Sequence, residues 1–270
     1  LSKDVINKIR LKYNYVFHSE LTEILTTVND RALSMIRSGH IDHAVSTLRD
    51  FLELCDFTPV LHYNLGLLYL NQGHLKEALR VAWRAAELDP DYLESYDLAA
   101  NVLYRIGDFE RSLHMYHEVV RIDPDDAQGY YNIGLANWAM GKYEEAERFW
   151  STAIQKDRKA KKAKLDRSGE SEDLVHSLTV ELFPVSFDAH RSLGALYDKL
   201  GKKEKALQEF VAALEYVPND SECYYYLGKI HHEMGNTEKA ISNLERCVYL
   251  GTKWEKEAAD ILEKIKKDSE

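Results

Sequence analysis

Few residues in this chain interrupt a helix: 270 positions hold only five prolines and thirteen glycines, while helix formers (Ala, Leu, Glu, Lys) are frequent. Cysteine is scarcer still. Cys55, Cys223 and Cys247 are odd in number, far apart and without CxxC or metal-ligand spacing, which argues against a disulfide framework and is compatible with a reducing compartment. No apolar run approaches the roughly 18 residues of a membrane-spanning helix, and no charged-then-apolar signal opens the chain. The expectation is a soluble, cytoplasmic chain with no membrane span. It starts at Leu1 rather than Met, which reads as a piece of a longer or processed protein.

Basic charge is also lacking. With 35 basic against 45 acidic residues the formal charge is −10, whereas a surface that tracks phosphates is usually net positive, so no nucleic-acid partner is expected. P-loop, GxGxxG, GxSxG, HExxH and EF-hand patterns are all missing. The pairs His114/His117 and His40/His43 have no third ligand at a suitable local spacing, and His231 and His232 point to different faces of a helix. Carboxylate pairs such as Glu144–Glu145 belong to solvated helix faces. The expectation is no enzyme, no cofactor and no metal.

What the chain does have is a period. Gly39, Gly73, Gly107 and Gly141 follow at intervals of 34, and Gly201 and Gly235 repeat that interval after a gap of 60, or 34 plus 26. A second phase holds Gly66, Gly134, Gly194 and Gly228; Pro90, Pro124 and Pro218 share a third once 26 residues are removed. Self-similarity of this kind signals a solenoid. The aligned blocks are 25–58, 59–92, 93–126, 127–160, 187–220 and 221–254. Each half-block carries apolar residues at helical spacing, with the shared glycine closing the turn between halves and the proline ending the second helix.

Packing positions recur as well. The eighth place is small throughout (Ala32, Gly66, Ala100, Gly134, Gly194, Gly228), and so is the twentieth (Ala44, Ala78, Ser112, Ala146, Ala206, Ala240). The twenty-fourth is large (Leu48, Tyr116, Trp150, Phe210, Leu244) except at Ala82. Small residues allow two helices to approach closely, and each large side chain buried beside them contributes roughly 1.5–3 kcal/mol. One hairpin cannot bury its own faces, so stability comes from stacking.

On these residues the sequence resembles the tetratricopeptide repeat (TPR) family, with departures at Asp56, Arg158 and Thr252, where the closing proline is missing. The resemblance implies an all-α fold, a right-handed superhelical solenoid of six antiparallel helix pairs. Their first helices would line a concave groove for segments of a protein or peptide partner. Places 2, 5, 6, 9, 12 and 13 of each first helix then face the groove. In repeats two to four these include Tyr63, Asn64, Leu67, Leu70, Asn71, Asp97, Asn101, Tyr104, Arg105, Tyr131, Asn132, Leu135 and Trp138. Aromatic rings supply contact area and asparagines supply backbone hydrogen bonds, Asn64 and Asn132 at the place where the family often grips an extended chain. The same rings could instead pack between adjacent first helices.

The terminal-carboxylate clamp of co-chaperone members is not matched, because the corresponding places carry Asn29, Leu33, Asn64, Glu94 and Leu98. The groove's far end mixes charge through Arg191, Asp198, Lys199, Glu222, Tyr225, Lys229 and Glu233. A second reading is a self-assembling or docking module, a homo-oligomer included, that uses its ends, convex face or insertion.

Three segments stand outside the repeats. Residues 1–24 have the spacing of an N-terminal helix, and 255–270 read as a capping helix with Ala258, Leu262 and Ile265 on one face. The insertion, 161–186, starts within "KDRKAKKAKLDR", which has seven basic and two acidic residues and should prolong the second helix of repeat four. It then breaks at "DRSGESED" and passes into a strand-like alternation at Leu178–Leu182. That end either packs on a hairpin edge or offers a short β segment to a partner, while the lysines could steer acidic partners or nucleic acid.

Overall fold

A computed structural model describes residues 18–54, 56–168 and 184–268. The expected N-terminal helix lies largely, and the strand-like 178–182 segment wholly, outside the described residues. Among those described, all regular structure is helical, and the chain divides into two compact units between Pro124 and Asp125.

The first unit holds α1 (His18–Arg37), α2 (Ile41–Leu54), α3 (Pro59–Asn71), α4 (Leu75–Leu88), α5 (Leu93–Ile106) and α6 (Phe109–Ile122). The second holds α7 (Ala127–Ala139), α8 (Tyr143–Ser168), α9 (Val185–Lys199), α10 (Lys203–Tyr216), α11 (Ser221–Glu233), α12 (Thr237–Tyr249) and α13 (Glu255–Asp268). In each unit consecutive helices pair as hairpins, and each hairpin packs on the next through its second helix. First helices also touch one another, α3 on α5 and α7 on α9. The helix α1 crosses position 24/25, where the sequence suggested a boundary.

The in-phase glycines end the first helices. Gly107 has φ 90°, a left-handed conformation that costs other residues energy. Its N–H reaches the Tyr104 carbonyl and the next N–H, of Asp108, reaches back to Leu103, each at 3.0 Å. This double closure satisfies carbonyls that the helix leaves open. The same pair of bonds recurs at Gly39, Gly73, Gly141, Gly201 and Gly235. Past the prolines, Asp126 and Asp220 cap α7 and α11 by accepting from backbone N–H groups of the first turn.

Every residue at the eighth, twentieth and twenty-fourth places is buried. A Cβ on Gly134 would stand 2.4 Å from Cδ1 and Nε1 of Trp150, and one on Gly228 would stand 2.5 Å from Cγ of Leu244. The exception at Ala82 has a packing cause. The space over Gly66 is filled from the next hairpin by Leu98, whose Cδ2 would lie 2.4 Å from an added Cβ. Ser112, the one hydroxyl among the twentieth places, donates to the Ala100 carbonyl at 2.9 Å and so is buried without an unpaired donor.

The helix α8 continues through the basic segment to Ser168. Its overhang is anchored on the following hairpin: Asp157 accepts from the Ser186 hydroxyl and backbone N–H, and the Lys161 ammonium lies 4.8 Å from the Tyr216 ring centre. At the other end of this unit α13 buries Ala258, Leu262 and Ile265 against Leu244 and Cys247 of α12.

Candidate protein-binding surfaces

In the first unit the candidate residues lie on α3 and α5. Tyr63 is half-buried and meets Tyr92 edge-on at 6.0 Å. Burial, with the charges of Asp97 and Glu94, pushes its phenol above the ordinary value. The Asn64 amide donates to Asn29 on α1, so this asparagine joins two first helices. Leu67 is half-buried and Asn71 exposed. On α5 a short polar chain runs from Tyr116, whose hydroxyl donates to Asn101 at 2.8 Å, to Asp97, which accepts from Asn101 at 2.9 Å. It ties the second helix α6 to the face. Tyr104 is half-buried against Phe109, with ring centres 5.2 Å apart. Exposed Arg105 donates to the Leu70 carbonyl at 2.8 Å, a cation at the C-terminal end of α3 where the helix dipole favours it.

In the second unit Tyr131, Leu135 and Trp138 lie half-buried on α7 against the core. The Tyr131 hydroxyl is 3.3 Å from Ser192 Oγ of α9, and its carbonyl accepts from the Trp150 indole at 3.2 Å. Trp138 meets Tyr143 at 5.2 Å and Trp150 at 6.0 Å. Asn132 is buried and accepts from Gln128, so it forms part of the wall, not an outward amide. The Tyr131, Leu135 and Trp138 side chains are each packed on one side and reach solvent on the other.

Further residues join this face. Tyr225 stacks on Trp254 at 4.6 Å, and Tyr226 lies parallel to Phe210 at 5.1 Å. Tyr226 sits at the sixth place of its block, so extending the groove places to the last repeat would have found it; Trp254, at the block's final place, carries no such signal. Between the aromatics, Arg191 is held by Asp188 at 3.1 Å and Glu222 at 3.2 Å, and Lys229 by Asp198 at 2.9 Å. Burial alone would lower the Lys229 pKa, but the Asp198 hydrogen bond and charge carry it above the ordinary value.

Two histidines at the fourth place of their blocks, His62 and His190, are buried beside carboxylates, Asp56 at 2.7 Å and Glu209 at 2.6 Å. The Asp56 carboxylate also accepts from Arg84, from Nε at both oxygens and from Nη2 at Oδ2. It stands where other blocks have the closing proline, so an ion-pair latch occupies the position of a rigid turn. Among the described residues no three of His, Cys, Asp or Glu gather as a metal site, and no helix is long and apolar enough to cross a membrane.

Matches to the family described as "Tetratricopeptide repeat" cover residues 59–92 and 221–253, and matches to "TPR repeat" cover 100–141 and 194–235. The chain is 22% identical to BBSome complex member BBS4 of Bos taurus over 72% of its own length and 38% of the relative's. It is 23% identical to DnaJ homolog subfamily C member 3 of Gallus gallus over 80% of its length and 41% of the relative's. It therefore spans less than half the length of either. Among solved structures it is similar to PilW, described as a widely conserved type IV pilus biogenesis factor, with TM-score 0.67 and 14% identity over 87% of this chain and 98% of that one. That likeness shows the fold alone. Because the matched segments coincide with the hairpins that these glycine closures and small-to-large contacts build, the chain belongs to the tetratricopeptide repeat family, a scaffold family, typically non-catalytic, whose repeats serve protein–protein interaction.

Proposed function

We propose that the chain is a non-catalytic scaffold that holds an extended or helical segment of a partner protein on the faces of its first helices. The observation that carries this reading is the set of rings left part-exposed there: Tyr63 and Tyr104 in one unit, Tyr131, Trp138 and Tyr225 in the other. Rings packed on one side and wet on the other offer contact area at low entropic cost, because the core already fixes their rotamers. Exposed Asn71 adds a carbonyl and an NH2 group that can pair with a ligand backbone. Nucleic acid is disfavoured by the −10 charge.

A second reading, docking within a larger assembly through other surfaces, is favoured by Tyr249, 79% exposed on α12, and Trp83, 40% exposed on α4. Crosslinked pull-down with mass spectrometry separates the two. Wild type is compared with Tyr104→Ala, Trp138→Ala and Trp83→Ala, each shown to be helical by circular dichroism. Partners lost with the first-helix variants and kept by Trp83→Ala support the groove. Partners kept by both first-helix variants refute it.

A further inference from the structure

On the first-helix face of the 125–270 unit most cations are matched by the protein's own carboxylates, as the Arg191 and Lys229 pairs show. Lys199 is different. It ends α9, is exposed, and places its ammonium 5.5 Å from the Trp138 ring centre and 5.6 Å from that of Tyr143. The carboxylate next to it in sequence, Asp198, is turned to Lys229. Among the described residues no carboxylate lies within ion-pair distance of Lys199, so its neighbours are two π faces.

Resting on the groove reading above, we propose that Lys199, Trp138, Tyr143 and Leu135 form a subsite for a partner segment with an acidic side chain beside an apolar one. The rings draw the ammonium towards the α7–α8 hairpin through their negative faces. A lysine has three donors, and those directed away from the rings remain for a carboxylate. The part-exposed indole and Leu135 next to it give area for an apolar side chain. A ligand lysine or arginine would approach the same rings and be repelled by the resident cation, so the subsite selects by repulsion as well as attraction. This is a side-chain carboxylate site on one lysine and a pair of rings, unlike a terminal-carboxylate clamp spread over successive repeats.

The test is selection from a phage-displayed random dodecapeptide library on the full chain, with wild type, Lys199→Glu and Trp138→Leu run in parallel after matched circular dichroism. Wild type should enrich Asp or Glu adjacent to Leu, Phe or Tyr, and Lys199→Glu should enrich Lys or Arg at that position. For a synthetic peptide of the top wild-type sequence, amidating its acidic side chain (Asp→Asn or Glu→Gln) should weaken binding about tenfold, equivalent to ~1.4 kcal/mol. Lys199→Ala should do the same, and the two changes together should cost little more than either. Peptides that depend on Trp138 but show no acidic preference, or one unchanged in Lys199→Glu, overturn the subsite and leave the groove standing. Enrichment indifferent to Trp138→Leu overturns the subsite, and no enrichment at all overturns both.

Discussion

Replacing Gly134 by alanine tests the packing rule at its tightest point. On an exposed helix the change would stabilise by about 0.8–1 kcal/mol, the propensity difference between the two residues. Here the new methyl would meet Trp150 Cδ1 and Nε1 at 2.4 Å and Cε2 at 3.0 Å, distances that require the indole to move. Trp150 is 1% exposed and its N–H is committed to the Tyr131 carbonyl, so there is no free direction. Overpacking of this kind costs ~1–3 kcal/mol, and separating the buried N–H from its acceptor costs about 1–3 kcal/mol more. Set against the propensity gain, the net loss is about 1–5 kcal/mol.

Urea denaturation followed by helical circular dichroism measures it. Gly141→Ala is the comparison: nothing lies within 4 Å of its added methyl, but φ is +73°, so its loss of roughly 1–2 kcal/mol comes from backbone strain. Shrinking Trp150 to leucine should rescue Gly134→Ala, with coupling of at least about 1 kcal/mol, and should not rescue Gly141→Ala. A neutral or stabilising Gly134→Ala, or additive behaviour with Trp150→Leu, would refute the close approach of α7 and α8.

Other expectations follow from the same contacts. Trp150→Ala should cost about 3–5 kcal/mol, while Trp138→Ala, which keeps one side in solvent, should cost less than half of that and weaken partner binding; equal losses in urea melts would erase the distinction between core and face. Ser112→Ala, which supplies the residue all five other repeats have, should stay within ~0.5 kcal/mol of wild type, and Ser112→Val should lose about 1–3 kcal/mol by overpacking. Acid should loosen the Asp56–His62–Arg84 latch. Burial holds the His62 imidazole below its ordinary 6.5 against the opposing pull of Asp56, so below that pH the unfolded chain takes up a proton that the folded one resists, and stability falls. Burial raises Asp56, but hydrogen bonds from Arg84 and His62 outweigh it and hold the carboxyl below 3.8; its contribution is present above that value and fades as pH falls further. Facing His62 are Asp56, Arg84 and Arg80. His62→Tyr, the residue type at the same place in Tyr96, Tyr130 and Tyr224, should flatten the fall of the melting temperature as pH drops below 6.5; an unchanged slope would exclude His62 as its source.

These contrasts also mark what a sequence can disclose about such a chain. The 34-residue period, the left-handed glycine closures and the small-to-large contacts were legible because each is a rule about one residue and its neighbours along the helix or one hairpin away. Gly107 has the same environment as Gly141, so repetition averages out the accidents of any one copy. Ala82 shows where that logic ends. Its block breaks the rule, and the compensation comes from Leu98 in the next hairpin, a contact without a local pattern. The latch is similar: a missing proline at Asp56 reads as a departure from the family until His62 and Arg84 are seen to converge on it from α3 and α4.

The candidate site was legible by face but not by role. Asn64 and Asn132 look alike in "YNLG" and "YNIG", yet one joins α3 to α1 and the other is buried against Gln128. The two motifs diverge because Asn64 finds its partner on the preceding first helix and Asn132 finds one a turn away on its own helix. Position on a repeat therefore says which residues lie on the first-helix face, and the occupancy of their hydrogen bonds separates those with free polar groups from those already paired. By that criterion Lys199, which the sequence offered only as one charge among many, becomes the most informative residue of the face. The carboxylate beside it in sequence is taken by Lys229, and its ammonium lies 5.5 and 5.6 Å from two ring centres.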